Sequence, residues 1–423
     1  MVVLVIGGGG REHAIVWKLA QSPKVDKILC APGNGGIRQL AECIDIKADD
    51  VAGVVRFAKE KGVDLVFVAP DDPLALGMVD ALEAEGIRAF GPRKAAARIE
   101  ASKTFAKELM QKYHIPTAQY RAFSRIDEAM AYLESCSYPT VIKADGLALG
   151  KGVVIAENSG EAHAALRSMM EDRAFGNAGA SVVIEEFLTG REMTVLAFTD
   201  GKTIVPMLCS QDHKRAYDGD KGLNTGGMGA FAPSPIYTGA VQGFCEEHIF
   251  RRTVDALNQE GIEFRGVLYF GLMLTDDGVK VIEYNARFGD PETQVVLPLL
   301  KTDLMDIIEA VLNGELDKLK IEWENKNSVC VVAASGGYPE HYQKGLPIEI
   351  APMKNGSIVF HAGTTISGAA QEPGCYLTAG GRVLGITALG DTLEEAAERA
   401  YEDMGAVHFD KMHFRKDIGK RAR

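Results

Sequence analysis

The sequence predicts a multidomain protein of mixed α/β and α+β class, and three observations carry that prediction. Short apolar runs alternate with helical patterns through the first hundred residues, strands around a glycine-rich turn follow, and longer strands then gather about a single helix. Length requires the division, because 423 residues exceed the ~250–300 at which one hydrophobic core stops growing.

The N-terminal unit, residues 1–102, opens with the apolar run Val2–Ile6, passes through Gly7–Gly8–Gly9–Gly10 and enters a helix after Arg11. KILCA, a helix near 51–60, DLVFVAP and a helix from Leu74 complete a βαβαβ pattern, hence a doubly wound parallel sheet. Ala95–Lys112 reads as one linking helix, with Ile99, Phe105 and Leu109 at helical spacing and His114–Ile115–Pro116 as its stop. Region 103–325 holds two parts. Residues from about 120 to 188 give YRAF, a helix near 126–135, TVIKAD, a Gly-rich turn, GVVIA, a helix from Gly160 and SVVIEEFL. A glycine hinge between strands predicts a mobile lid. Residues from about 189 to 325 give EMTVLAFTD, TIVPMLCS, GVLYFGLMLT and VKVIEYN around a helix over Thr238–Gln259, the expected catalytic sheet. Residues 326–423 begin with SVCVVAAS, continue through FHAGTT and GRVLGITALG, and close with a helix over Leu393–Met404 and a basic tail, predicting a small β-rich domain.

Composition excludes several classes of function. A net charge of −12 with scattered Lys and Arg repels a nucleic-acid backbone, so no nucleic-acid partner is expected. No apolar run approaches the ~20 residues that span a bilayer, so no membrane partner is expected. Neither a basic n-region nor a cleavage pattern marks the start, which predicts a cytoplasmic protein. The seven cysteines are odd in number and contain no CxxC pair, so they read as reduced, buried small hydrophobes.

Gly7–Gly8–Gly9–Gly10–Arg11 follows a strand and opens a helix, where free amides and the helix dipole favour an anion. A dinucleotide fingerprint needs a third glycine where Glu12 or His13 stands, so a phosphoryl group on a small substrate is favoured over NAD, beside the plain alternative of a tight turn. Lys103, Lys143 and Lys151 come next, the last two flanking the turn Ala144–Gly150. A strand lysine before a Gly-rich turn that carries a second lysine places two ammonium groups around a polyphosphate. The bland alternative for Lys143 is a stem that snorkels to solvent. Val182–Leu188 leads into Gly190–Arg191–Glu192, suiting a strand and hinge whose backbone reads an adenine edge while Glu192 accepts from ribose hydroxyls; a solvated edge strand is the alternative. In Glu283–Tyr284–Asn285–Ala286–Arg287, strand alternation puts a carboxylate, an amide oxygen and a guanidinium on one face. Two oxygen ligands plus phosphate oxygens suit Mg²⁺. A structural Glu283–Arg287 salt bridge is the alternative. Gln211–Ala216 and Asn224–Gly229 are polar and glycine-rich within an apolar region, which predicts a substrate loop.

In this order the pieces resemble the ATP-grasp superfamily, and within it the phosphoribosylamine–glycine ligase family. The likeness covers essentially the whole chain: GGGGREHA, KADGLALGKGVV, VVIEEFL, QDHKRAYDGDKGLNTGGMGAF, GVLYFGLML, EYNARFGDPETQ, FHAGT, GGRVLGITA and FRKDIGKRA. Departures are Ala69–Leu74 in place of a GPEAPL-like turn, Leu149 where a small residue is common, and Gly271–Leu272–Met273 where many ATP-grasp enzymes carry a metal-binding acid. The resemblance implies an ATP-grasp fold with an N-terminal pre-ATP-grasp domain, a lid, a central domain and a C-terminal domain. It further implies an ATP-dependent joining of glycine to 5-phosphoribosylamine in purine biosynthesis, with Mg²⁺ or Mn²⁺ as cofactor. Glu283 and Asn285 are the implied metal ligands, and Arg287, Lys151 and Lys143 the implied catalytic groups. For ATP the candidates are Lys103, Lys143, Lys151, Gly152, Glu185, Glu186, Leu188 and Glu192. For glycine and phosphoribosylamine they are Gly9, Gly10, Arg11, Asp212, Lys214, Asn224, Arg287, Asp290 and Glu292. Transient contact with the enzyme that makes phosphoribosylamine is a further expectation. Rival readings are another ATP-grasp carboxylate–amine ligase, which RFGDPE and NTGGMGA oppose, and a non-catalytic nucleotide-binding protein.

Overall fold

The computed structural model describes residues 1–148, 152–366 and 375–420. Its opening sheet comprises β1 (Val2–Gly7), β2 (Lys27–Pro32), β3 (Glu42–Cys43), β4 (Leu65–Val68) and β5 (Ala89–Phe90). The strands are parallel in the order β3-β2-β1-β4-β5. Val3 to Ile6 are fully buried, as a strand covered by helices on both faces requires. The order reverses at β1, so the carboxyl ends of β1 and β4 diverge into a crevice. The glycine turn before α1 (Gly10–Leu19) and the start of the short helix Asp71–Leu76 both lie there.

The expected single helix over Ala95–Lys112 is two helices, Lys94–Ala101 and Lys103–Lys112. Ser102 separates them in an extended conformation (φ −139°, ψ 108°), and its side chain accepts from Phe105 N. A serine that caps a helix competes with continuing one. The break aims Lys103 and Lys107 at the lid.

The lid is an antiparallel sheet of β6 (Tyr120–Phe123), β7 (Thr140–Ala144), β8 (Val153–Ala156) and β9 (Val182–Glu186), ordered β6-β9-β7-β8. Helices Ile126–Leu133 and Ser159–Leu166 cover one face, burying Leu133, Ile142, Leu166 and Ile184. Next come β10 (Arg191–Asp200), β11 (Ile204–Pro206), β12 (Gln211–Asp212), β13 (Arg215–Tyr217), β14 (Lys221–Asn224), β15 (Gly229–Ala232), β16 (Arg265–Thr275) and β17 (Gly278–Asn285). The central antiparallel sheet is β11-β10-β16-β17. The strand expected over TIVPMLCS is regular only over β11; beyond Pro206 the chain still bonds β10 through Met207 N to Leu196 O (2.7 Å) and Ser210 N to Thr194 O (2.9 Å), but out of the β11 register. The helix expected over Thr238–Gln259 is one rod with a π turn at Glu246–Phe250 between α-helical ends.

After β17 the chain forms β18 (Asn327–Ser335), β19 (Pro347–Ile350), β20 (Ile358–His361), β21 (Thr364–Ile366), β22 (Tyr376–Thr378), β23 (Arg382–Gly390), helix Leu393–Met404, β24 (Val407–His408) and β25 (Met412–His413). The main sheet here is β12-β15-β18-β23-β20, so two strands come from the polar stretch near residue 220. Strands β21, β22, β19 and β24 make a smaller sheet. Sheet pairing thus crosses residue 325, and the polar stretch is built jointly with the C-terminal unit.

First and last units also touch directly. His13 Nδ1 accepts from His361 N at 2.8 Å, and Asn34 Nδ2 donates to Gly8 O (2.9 Å) and His361 O (2.8 Å). All seven cysteines are free thiols. Cys30, Cys209, Cys245 and Cys330 are buried as expected, whereas Cys43 and Cys136 are half-buried and Cys375 is exposed, because the last three lie at strand and helix margins. Among the described residues no helix is long and apolar enough to cross a membrane.

Candidate active site

A cleft of about 440 Å³ lies between the lid, the central sheet, the crevice of the first sheet and the C-terminal sheet. Lys103, Lys143, Gly152 and Glu185 line its lid side. Glu283, Asn285 and Arg287 line its floor, and Arg11, Asp212, Lys214, Asn224, Asp290 and Glu292 its far end. Lys151 lies outside the described residues.

On the lid side, Lys143 comes from β7 and does not snorkel: its side chain is 5% exposed and pairs with Glu185 Oε1 at 3.0 Å. Its Nζ also donates to Ile282 O at 3.1 Å, tying lid to central sheet. Glu185 receives a second cation, Lys107, at 2.9 Å. Burial pushes the Glu185 carboxyl up, but Lys143 and Lys107 outweigh it and hold it below its ordinary value. Lys107 is lowered to about 8, chiefly by burial, and Lys103 is lowered for the same reason. Lys103 Nζ donates to Gly146 O (3.1 Å) at the start of the glycine-rich turn.

At the hinge, the Glu186 side chain accepts from Gln119 N (3.0 Å) and Lys280 (3.3 Å), so it braces the strand end rather than facing the cleft. Leu188 is half-buried beyond β9 and outside the cleft lining. Glu192 pairs with Lys214 at 3.1 Å and reaches the cleft only through it.

The floor discards the internal salt bridge as an explanation of its motif. Arg287 pairs with Glu100 at 2.8 Å, and Glu100 also accepts from Ala286 N at 2.7 Å. Among the described residues no hydrogen bond or ion pair engages the Glu283 carboxylate. Among the described residues, Asn285 Oδ1 receives only a long bond from Arg287, 3.3 Å. Gly271 lies opposite Glu283 on β16, and a Cβ there would meet Glu283 Cγ at 3.0 Å, so the missing acid on that strand leaves room for this one. A carboxylate that no described residue hydrogen-bonds, beside an amide oxygen in a lysine-lined cleft, suits a hard divalent cation that completes its shell with phosphate and water. Among the described residues no cluster of three His, Cys, Asp or Glu forms a self-sufficient metal cage.

The far end alternates charge. Asp212 Oδ1 lies 3.4 Å from Lys214 Nζ; burial raises the Asp212 carboxyl against that pull. Glu292 accepts from Tyr269 OH at 3.0 Å, and burial together with Asp212 lifts it to about 7. Asp290 pairs with Arg382 at 3.2 Å. Burial opposes its ionisation, but Arg382 and Arg11 prevail and hold it below its ordinary value.

The glycine turn departs from the expected anion cradle. Gly9 N donates to Glu12 Oε2 (2.6 Å) and Arg11 N to Asp290 Oδ2 (3.3 Å), so the protein's own carboxylates occupy those amides. Gly9 and Gly10 do not line the cleft, whereas Arg11 does.

Several lining groups, Glu100, Lys107 and Arg382, are not among the site residues expected from the sequence. Glu100 sits in the helix Lys94–Ala101 with Lys94 and Arg98, Lys107 falls one turn after Lys103, and Arg382 lies within GGRVLGITA; each is brought in by tertiary packing. Only the spacing of Lys103 and Lys107, four residues on one helix face, offered a clue.

A small antiparallel lid closing over a larger sheet, with lysines above and a Glu–Asn–Arg floor below, defines an ATP-grasp enzyme. The N, ATP-grasp (A) and C domain models of phosphoribosylglycinamide synthetase match residues 1–100, 101–293 and 328–421. The chain is 51% identical over 418 residues to the phosphoribosylamine–glycine ligase of Caldanaerobacter subterraneus, covering 99% of each. It is 50% identical over 423 residues to that of Halalkalibacterium halodurans, covering 100% of this chain and 97% of that protein. Among solved structures, the Thermotoga maritima phosphoribosylamine–glycine ligase superposes with a TM-score of 0.84 at 32% identity, covering 99% of this chain and 100% of that one. A Hydrogenobacter thermophilus biotin carboxylase domain, at 16% identity and TM-score 0.76 over 98% of this chain and 91% of that one, shares the fold. The chain belongs to the phosphoribosylamine–glycine ligase family.

Proposed function

We propose that this protein joins glycine to 5-phosphoribosylamine with cleavage of ATP to ADP and phosphate, giving N1-(5-phosphoribosyl)glycinamide for purine synthesis in the cytoplasm. The observation that carries this is one cleft uniting the lid lysines, the Glu283–Asn285–Arg287 floor and the charged far end. ATP lies between lid and central sheet, with Lys103, Lys143 and Lys151 on its phosphates and the hinge backbone along its adenine. Glu283 and Asn285 hold Mg²⁺ or Mn²⁺, which when bound supplies charge neutralisation at the phosphates. Arg287 faces the transferring phosphoryl group, held there by Glu100.

The glycine carboxylate attacks the γ-phosphorus, the bond to the β-γ bridging oxygen breaks, and glycyl phosphate and ADP result. The neutral amine of phosphoribosylamine then attacks the acyl carbon, phosphate leaves and the nitrogen gives up a proton. The first step needs no strong base, because the attacking group is already ionised. Positioning and charge neutralisation carry the catalysis. Asp212, Lys214, Asn224, Asp290 and Glu292 hold glycine and phosphoribosylamine, with Arg11 beside them. Hand-over of phosphoribosylamine from the enzyme that makes it fits the lability of that amine.

The decisive experiment is ADP release from Mg²⁺–ATP and glycine, with and without phosphoribosylamine generated in situ, and with other amino acids as controls. Release that needs both acceptors is expected. Release with a different carboxylate or amine would favour another ATP-grasp ligase, and nucleotide binding without turnover a non-catalytic protein.

A further inference from the structure

The closing motif Phe414–Arg415–Lys416–Asp417 has no part in the cleft, yet it grips the hairpin that leads into it. That hairpin, β13 and β14, is a two-stranded sheet joined to no other among the described residues, and such ribbons are marginal on their own. Its root presents Lys214 and Asn224 to the cleft and is closed by Thr225 N donating to Lys214 O at 2.7 Å. The tail contacts its other residues almost one by one. Arg415 Nη1 donates to Arg215 O (3.1 Å), His413 Nε2 bonds Ala216 O (2.7 Å), Lys416 N donates to Asp218 Oδ1 (2.7 Å) and Gly219 N to Asp417 Oδ2 (3.0 Å).

Arg415 is the centre of this clasp. Its side chain is fully buried and forks onto Asp417 (2.7 and 2.8 Å), while Nη2 also meets Asp220 Oδ1 of the hairpin at 2.9 Å. The tail itself is fixed to the body: β25 pairs with β18, and Tyr401 OH donates to Arg415 O at 2.9 Å. We propose that Arg415 is a positioning residue for the acceptor end of the site, acting through the hairpin 215–224 to set Lys214 and Asn224. This rests on the reading that those two residues hold glycine or phosphoribosylamine.

The test compares Asp220→Asn, which removes the charge on the half-exposed hairpin side of the clasp and keeps a residue that tolerates the left-handed backbone there (φ 53°), with Arg415→Lys and Asn224→Ala in the full chain. Steady-state constants are read for ATP, glycine and phosphoribosylamine, with melting temperature and hydrogen exchange of residues 215–224. The inference expects Asp220→Asn to raise an acceptor KM by about 3–10-fold, with the ATP KM and melting temperature little changed and exchange in the hairpin faster, and Arg415→Lys to raise it further at an unchanged ATP KM but with a lower melting temperature, because its buried fork is lost. It is overturned if acceptor constants stay put in Asp220→Asn and Arg415→Lys while Asn224→Ala raises them, or if in Asp220→Asn the ATP and acceptor constants worsen together with a falling melting temperature. If Asn224→Ala and Lys214→Ala both leave acceptor constants unchanged, the acceptor-site reading itself fails and the inference falls with it.

Discussion

Glu100→Gln isolates the support of Arg287 from Arg287 itself. The native carboxylate accepts from Ala286 N at 2.7 Å and from Arg287 at 2.8 Å, with side-chain exposures of 6% for Glu100 and 18% for Arg287. Glutamine keeps the volume but has one acceptor oxygen, so its NH₂ must confront one of the two donors. Losing a buried hydrogen bond to a charged group costs about 1.5–3 kcal/mol. If Arg287 contributes mainly in the transition state, that loss appears in kcat as a fall of roughly 10–150-fold, with a smaller change in the ATP KM. A pH series adds a second arm. Burial outweighs Arg287 and lifts Glu100 to about 7, so the parent's kcat should decline as pH drops through that value and the variant's should be flatter. Coupled measurement of ADP release at saturating glycine and phosphoribosylamine reads both arms. A variant with kcat within about twofold of the parent, beside an inactive Arg287→Ala, would refute the positioning role of Glu100.

Three further outcomes are expected. Glu283→Ala should lose activity at limiting Mg²⁺ and recover little at excess, and Gly271→Ala, whose Cβ would press on Glu283 Cγ at 3.0 Å, should raise the Mg²⁺ requirement; near-normal activity of Glu283→Ala at limiting metal contradicts the ligand assignment. Glu292 is raised from 4.5 to about 7, so the folded state holds its proton where the unfolded chain has lost it, and this group costs stability as pH rises from 4.5 to 7. Glu292→Gln should therefore raise the ligand-free melting temperature more at pH 8 than at pH 5, and an equal shift at both would deny the raised pKa. His13 is lowered from 6.5 to about 3, by burial and then by His361, so its contribution is present above 6.5 and lost as pH falls toward 3. His13→Asn, which keeps an acceptor for His361 N without the titration, should flatten acid unfolding over that window, as followed by tryptophan fluorescence.

What the sequence by itself determined is whatever repeats or clusters locally. The period of apolar residues marked β1, the lid strands and the central strands. Glycines beside lysines, and Glu283–Asn285–Arg287 on alternate positions, marked chemistry within a few residues of chain. Tertiary structure alone decided which partner each charge took. Arg287 turned to Glu100, 187 positions away, and not to Glu283, because the helix Lys94–Ala101 packs behind β17. Two amides at the glycine turn, Gly9 N and Arg11 N, went to Glu12 and Asp290. Strands β12 and β15 left the central sheet for the C-terminal one, which brought Arg382 onto Asp290 and Arg415 onto the hairpin. Burial and ion pairing depend on distances in space between residues hundreds of positions apart, and a periodic pattern along the chain carries no record of them.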